Sequence, residues 1–241
     1  MAETPTQPPA VNDAAAQQPS TQPAATPRWD RRLQQIVIVI ARLGLAYLFF
    51  SSLFWKMPPR FGCANNFEFP TANAEGRPVA GKSTGLCYFL GLESIYAGQP
   101  RPWLVSDLQY VGGQRLSIDL GPVSRLNGWF VDAVVKPNIT WFGYVIFGAE
   151  ALIALSMFLG LFTRLGGLIA IGISAQLMIG LANIPQPFEW EWSYNQMVLL
   201  SLLMFGLAPG RYFGLDVLLR PPLSRAAGRG NLLARLVQLL T

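Results

Sequence analysis

Four long apolar runs limit what this chain can fold into. They occupy residues 35–55, 141–162, 165–184 and 192–208, and the third carries no charge at all. Each is close to the roughly 20 residues that an α-helix needs to cross a hydrocarbon core. The fourth is short, but Pro209-Gly210 stops it cleanly. A backbone in lipid has to satisfy its own hydrogen bonds, and continuous runs of this kind do so as helices, whereas strand barrels show weak alternating segments. Composition agrees: 51% of the residues are hydrophobic and 13% are charged, about half the charge fraction of an average soluble domain. The expected fold class is an all-α membrane protein built on a bundle of four transmembrane helices.

Arginine placement gives an expected orientation. Arg28, Arg31 and Arg32 precede the first run, Arg164 stands in the turn between the second and third, and Arg211, Arg220, Arg225, Arg229 and Arg235 follow the fourth. Residues 185–191, between the third and fourth, hold two acids and no base. By the positive-inside rule both termini lie in the cytoplasm and the long segment 56–138 lies outside. The location expected is a multi-pass place in the inner (cytoplasmic) membrane. Bases within 56–138 do not conflict, because long loops translocate largely regardless of charge. The net charge of +5 is then a topology signal, and no nucleic-acid face is expected.

The flanking segments divide the chain further. Residues 1–32 open with Pro, Ala, Gln and Thr and almost no large apolar side chain, so they read as a disordered cytoplasmic tail. Residues 33–220 form the membrane domain, interrupted by the insertion 56–138. The first run is too long for a cleaved signal, and no small-x-small site follows it. The insertion is too long for a bare connector and should be structured. Its beginning is irregular by composition, and 86–97 is apolar but short enough to lie at the interface. WLVSDLQYVGGQRLSIDL alternates around Gly112-Gly113 as a hairpin does. A helix opening at Ser124 and stopping at Lys136-Pro137 either lies on the membrane surface or caps the bundle. Cys63 and Cys87 share this compartment, so they are either a disulfide worth about 3 kcal/mol or two buried thiols. Residues 221–241 make a basic amphipathic helix, for the anionic leaflet or for docking a partner subunit.

Two charges stand inside the runs. Arg42 lies about two turns into the first, and Glu150 near the centre of the second. An ionised group at the bilayer centre costs at least about 2.5 kcal/mol, so neither faces lipid without compensation. Antiparallel neighbours make an Arg42–Glu150 pair the economical expectation, with Gln176 at similar depth on the third run. Asn195-Gln196, just inside the fourth, can face Glu150 across the outer half of the bundle. The preceding Glu189-Trp190-Glu191-Trp192 reads as an aromatic belt. The polar pair either fixes helix register or holds the head of a quinone or relays a proton. With no histidine in the chain, His-ligated haem, copper and chlorophyll are excluded, and two cysteines cannot hold a four-cysteine cluster. No metal site and no covalent cofactor is expected. Arg-Leu-Gly recurs at Arg42 and Arg164, either as an internal repeat or as convergent helix-end chemistry.

Arg42-Leu43-Gly44, Glu150, Gly160-Leu161-x-Thr163-Arg164 and Gly210-Arg211-x-x-Gly214-x-Asp216 together resemble the DoxX/DoxD-like membrane proteins. That family includes the small subunit of thiosulfate:quinone oxidoreductase. The resemblance spans about residues 35–220 and implies a four-helix bundle associated with a non-covalently held quinone. The function it implies is a membrane subunit of a quinone-linked oxidoreductase, with Arg42, Glu150 and Gln176 around the quinone head. The Cys-containing insertion, the tail and the basic helix depart from the simplest members and look like partner surfaces. They keep a second reading open, that of a non-catalytic subunit stabilising a larger respiratory or photosynthetic complex. Expected partners are the bilayer and other subunits of that complex.

Overall fold

The computed structural model describes residues 27–79, 84–100, 102–108, 114–181, 184 and 191–241. Helix α1 (Arg28–Leu53) follows the first apolar run and tightens into a 3-10 turn, Phe54–Lys56. It begins within the expected tail, because Pro27, with ψ of 147°, stands outside the helix and Asp30 in the first turn favours the helix dipole. Residues 1–26 of that tail lie outside the described residues.

The insertion then makes a short antiparallel pair, β1 (Thr71–Ala72) with β2 (Pro78–Val79), and α2 (Gly85–Tyr96). Cys63 and Cys87 form a disulfide, with Cα atoms 5.6 Å apart. It ties the start of α2 to the turns that follow α1. Helix α2, which its length had placed at an interface, is packed among other helices. It packs against α5 (Thr163–Leu181) and α3 (Gly121–Phe130) and buries Leu86, Leu90, Leu92, Glu93 and Tyr96, because it is apolar on nearly every face. Strands β3 (Pro102–Leu108) and β4 (Gln114–Asp119) pair antiparallel, Trp103 opposite Ile118 and Asp107 opposite Arg115. The glycine turn expected between them lies outside the described residues.

Helix α3 starts three residues before the expected Ser124. Helical turns continue through a π turn, Val131–Val135, and a 3-10 turn, Lys136–Asn138, into α4 (Ile139–Leu159). The axis nevertheless bends there. The Phe130 and Phe142 rings are 6.1 Å apart, whereas their Cα atoms would be about 18 Å apart along a straight helix. Pro137 has no amide hydrogen to donate, and the wide and tight turns on either side absorb the break. Helix α3 packs against α2 and α5, while Val123, Leu126 and Trp129 stay exposed on its other side.

Helix α6 (Glu191–Leu207) follows the fourth run, with α7 (Gly210–Phe213), α8 (Asp216–Gly228) and α9 (Leu232–Leu240) after it. Three helical runs are long and apolar enough to cross a membrane, Arg28–Lys56, Gly121–Leu159 and Thr163–Leu181, and α6 holds a shorter apolar stretch, Tyr194–Leu207. Residues 185–190, with Glu189 and Trp190 of the expected aromatic belt, lie outside the described residues. The mostly helical, apolar build is that of an all-α, multi-pass membrane protein. Large apolar side chains cover its outside, among them Tyr47, Phe50, Trp141, Phe158 and Leu199, as a lipid-facing surface requires. In α9 the exposed side carries Leu232, Leu233, Leu236 and Leu239.

The bundle centre is built by Leu45, Ala46 and Phe49 of α1, Ile153, Ala154 and Met157 of α4, Ala170 of α5 and Met204 of α6. Lipid supplies no hydrophobic drive between helices, so close backbone approach has to bind them. Gly167 provides it: a Cβ there would lie 2.8 Å from the Phe205 backbone nitrogen. Gly172, one helical turn and a half further on, meets nothing within 4 Å. Gly167→Leu is therefore expected to lower the thermal midpoint of the detergent-solubilised protein, at a cost of about 1–3 kcal/mol. Gly172→Leu should leave it near wild type, and fluorescence-detected size-exclusion after heating compares the two.

Candidate functional site

The carboxylate of Glu150 is 2% exposed, and its partner is Lys56, not Arg42. Lys56 Nζ donates to Glu150 Oε1 in a buried salt bridge and sits 4.5 Å from the Trp55 ring centre. The expected Arg42–Glu150 pair fails on register. Arg42 stands level with Gly160, where the guanidinium approaches the α4 C-terminus, and Glu150 is about 15 Å further along α4 at about 1.5 Å per residue. Helix α1 starts well before the apolar run does, so aligning the ends of the two runs misplaces their charges. Lys56 is the residue missed: as the charge that ends the first run, it reads as the water boundary.

Arg42 serves a different junction. Its Nη2 donates to the Phe213 carbonyl at 2.9 Å and its Nη1 to that of Pro209 at 3.5 Å. Around it the residues that carried the family resemblance close into one knot. Gly160 takes a left-handed φ of +64° to end α4, and its carbonyl accepts from Asp216 N at 2.9 Å. Asp216 is fully buried and caps the start of α5, accepting from Phe162 N at 2.7 Å, Thr163 N at 3.1 Å and Thr163 Oγ1 at 2.9 Å. Thr163 Oγ1 in turn accepts from Gly210 N at 3.2 Å. A carboxylate at a helix N-terminus meets both free amides and the positive end of the dipole. The two Arg-Leu-Gly segments are not equivalent in this setting, since Arg42 is deep in α1 and Arg164 is the second residue of α5.

Gln176 lines the same cavity as Glu150 but turns to another acid. Its Nε2 donates to Glu93 Oε2 at 2.6 Å, and Asn127 Nδ2 donates to the same oxygen at 2.8 Å. Glu93, buried on α2, was missed because the whole segment 86–97 read as interfacial; a lone acid in an apolar helix was the available signal. Asn195 and Gln196 are exposed, and it is Tyr194 and Met197, one turn apart on the other face of α6, that point inward.

These groups surround one cavity of about 380 Å³ between α1, α2, α4, α5 and α6, closed on one side by the α3 turn. Its walls are mainly apolar, with Phe49, Phe89, Phe142 and Leu177 among them, and its polar groups are Ser52, Lys56, Glu93, Glu150, Gln176 and Tyr194. Oε2 of Glu150 is buried and makes no hydrogen bond. An apolar chamber of this size with a few convergent polar groups is what a small organic ligand needs.

A family model described as TQO small subunit DoxD matches residues 103–237. The chain belongs to the DoxD family. Comparison with curated proteins and with solved structures gives no match. The DoxD segment supplies Glu150, Gln176, Thr163 and Asp216, while Arg42, Lys56 and Glu93 precede it. Both the knot and the cavity thus join family-matched helices to α1, and the cavity adds α2.

Breaking a buried ion pair strands one charge, at a cost of about 3–5 kcal/mol, whereas removing both partners leaves none. Lys56→Gln and Glu150→Gln singly are expected to deplete the monodisperse species, and the double variant to recover it. Arg42→Gln combined with Glu150→Gln should give no such recovery.

Proposed function

We propose that this chain is the membrane subunit of a quinone-linked oxidoreductase and that the cavity holds the quinone head. The carrying observation is the apolar chamber of about 380 Å³ into which the Lys56–Glu150 salt bridge is set. Apolar and aromatic walls suit a flat ring. Lys56 has three ammonium donors, of which Glu150 takes one, so a carbonyl oxygen of the ring has a donor available. Bound there, a quinone would supply two-electron carrier chemistry, and the chain's own residues would bind it, orient it and exclude water. Electrons would reach it from a partner subunit, since no other redox centre is implied by these residues.

The DoxD match supports this reading, and so does the intramembrane position of the charges, which ionisable groups hold at a cost. The expected result is a quinone retained through mild-detergent purification and detected by mass spectrometry. Gly172→Trp at the cavity rim and Leu177→Trp in its wall should each lose it while eluting as wild type. A protein that co-purifies with large catalytic subunits, without quinone, would support the accessory reading instead. That second reading has an observation in its favour: most residues carrying the family resemblance build the knot and not the cavity.

The topology proposed with this function has four spans and both termini in the cytoplasm of a cell bounded by its inner membrane. Its support is the arginine pattern, together with α7 lying at the same end of the bundle as the Arg164 turn. A membrane-impermeant thiol label on intact cells is expected to reach Glu75→Cys and not Ser20→Cys. The reverse labelling would invert the protein.

A further inference from the structure

Among the described residues, the buried side-chain atoms without a hydrogen-bond partner are Arg42 Nε, Ser124 Oγ, Glu150 Oε2, Arg164 Nε and Ser174 Oγ. Only Glu150 also lines the cavity. Its other oxygen is fixed by Lys56, so the carboxylate cannot turn to satisfy Oε2 without giving up the salt bridge. The group is thus held in place with one acceptor unused, at the wall of a chamber of ligand size.

An ionised carboxylate only accepts hydrogen bonds. The two forms of a quinone differ in what they offer it. The carbonyl oxygens of the oxidised ring are acceptors too, and one placed against Oε2 would leave both unsatisfied and in repulsion. A hydroxyl of the reduced ring is a donor, and its oxygen still accepts, so it can serve Glu150 Oε2 and take a bond from Lys56 or Gln176 at once. Ammonium and amide donors therefore suit either form, and the discrimination falls to the unpartnered Oε2 of Glu150. Leaving a buried polar group unpaired is what makes such sites selective.

We infer that this cavity binds the hydroquinone in preference to the quinone, through a hydroxyl donated to Glu150 Oε2. The inference rests on the quinone reading proposed above and adds the redox form and the residue that selects it. A hydrogen bond to a charged acceptor corresponds to a preference of about tenfold or more. By the same factor the midpoint potential of the bound two-electron couple rises by about 30 mV relative to the free one.

The test measures equilibrium binding of a short-chain quinone and its quinol to the purified full-length protein, with the quinol kept reduced under anaerobic conditions. The same measurement is made on Glu150→Gln combined with Lys56→Gln, which removes both buried charges, with elution position reporting the fold. Wild type should bind the quinol about tenfold more tightly, and the double variant should lose or reverse that preference, because a glutamine amide can donate to a carbonyl. Equal binding of the two forms by wild type overturns the inference and leaves the quinone site standing. A preference that survives in the double variant overturns the role of Glu150. Binding of neither form overturns the quinone site as well.

Discussion

A carboxylate removed from water has to be met by donors, and the described structure meets each of its deeply buried acids from a distant element. Asp216 is satisfied by the first turn of α5, Glu150 by a lysine at the end of α1, and Glu93 by amides on α3 and α5. Each contact links segments far apart in sequence, so each sets the sliding of one helix against another. Apolar packing between lipid-facing helices is tolerant of such sliding, because one leucine surface fits many others. The charged contacts are not tolerant, since a shift of one turn strands an ion. Register in this bundle is accordingly an electrostatic property, while its cohesion is a matter of side-chain packing.

The division of labour among those contacts is informative. Arg42, Gly160, Thr163, Gly210 and Asp216 bind the middle of α1 to the ends of α4, α5 and α6 at one level. The Lys56–Glu150 and Glu93–Gln176 contacts lie further along α1, α4 and α5, where α2 joins them and the chamber opens. A firm knot at one end lets the other end hold an internal space without the helices collapsing into it. Gly167 tightens α5 on α6 next to the knot, and Gly172 beyond it faces open room.

Which membrane-length helices exist was legible in the chain, because an apolar run of that length leaves the backbone no alternative, whereas the single helix expected over 221–241 is two, α8 beginning at Asp216 and α9 at Leu232. Their ends shifted by a few residues, and α1 by more, since hydropathy marks where lipid begins and not where helical hydrogen bonding begins. The site was half legible. Glu150 and Gln176 stood out as polar groups in apolar surroundings, but their partners depend on relative height, which no single helix encodes. Lys56 and Glu93 looked like boundary residues because the segments holding them looked like boundaries. Asn195 and Gln196 were placed by depth alone, when rotation about α6 decides what faces inward, and the inward residues are Tyr194 and Met197.

The bend around Pro137 has a geometric consequence for the chamber. Val131 and Val135 stand on one arm of the bent helix, and Phe142, Ile146 and Glu150 on the other, and all five line the same space. Two walls of the chamber are therefore one continuous piece of chain, opened like a pair of calipers. Its jaw width follows from a single angle, set within three residues by a proline that cannot donate and an asparagine whose side chain bonds back to Val134 at 2.9 Å. Small changes of sequence at 136–138 would resize the chamber without touching any residue that lines it.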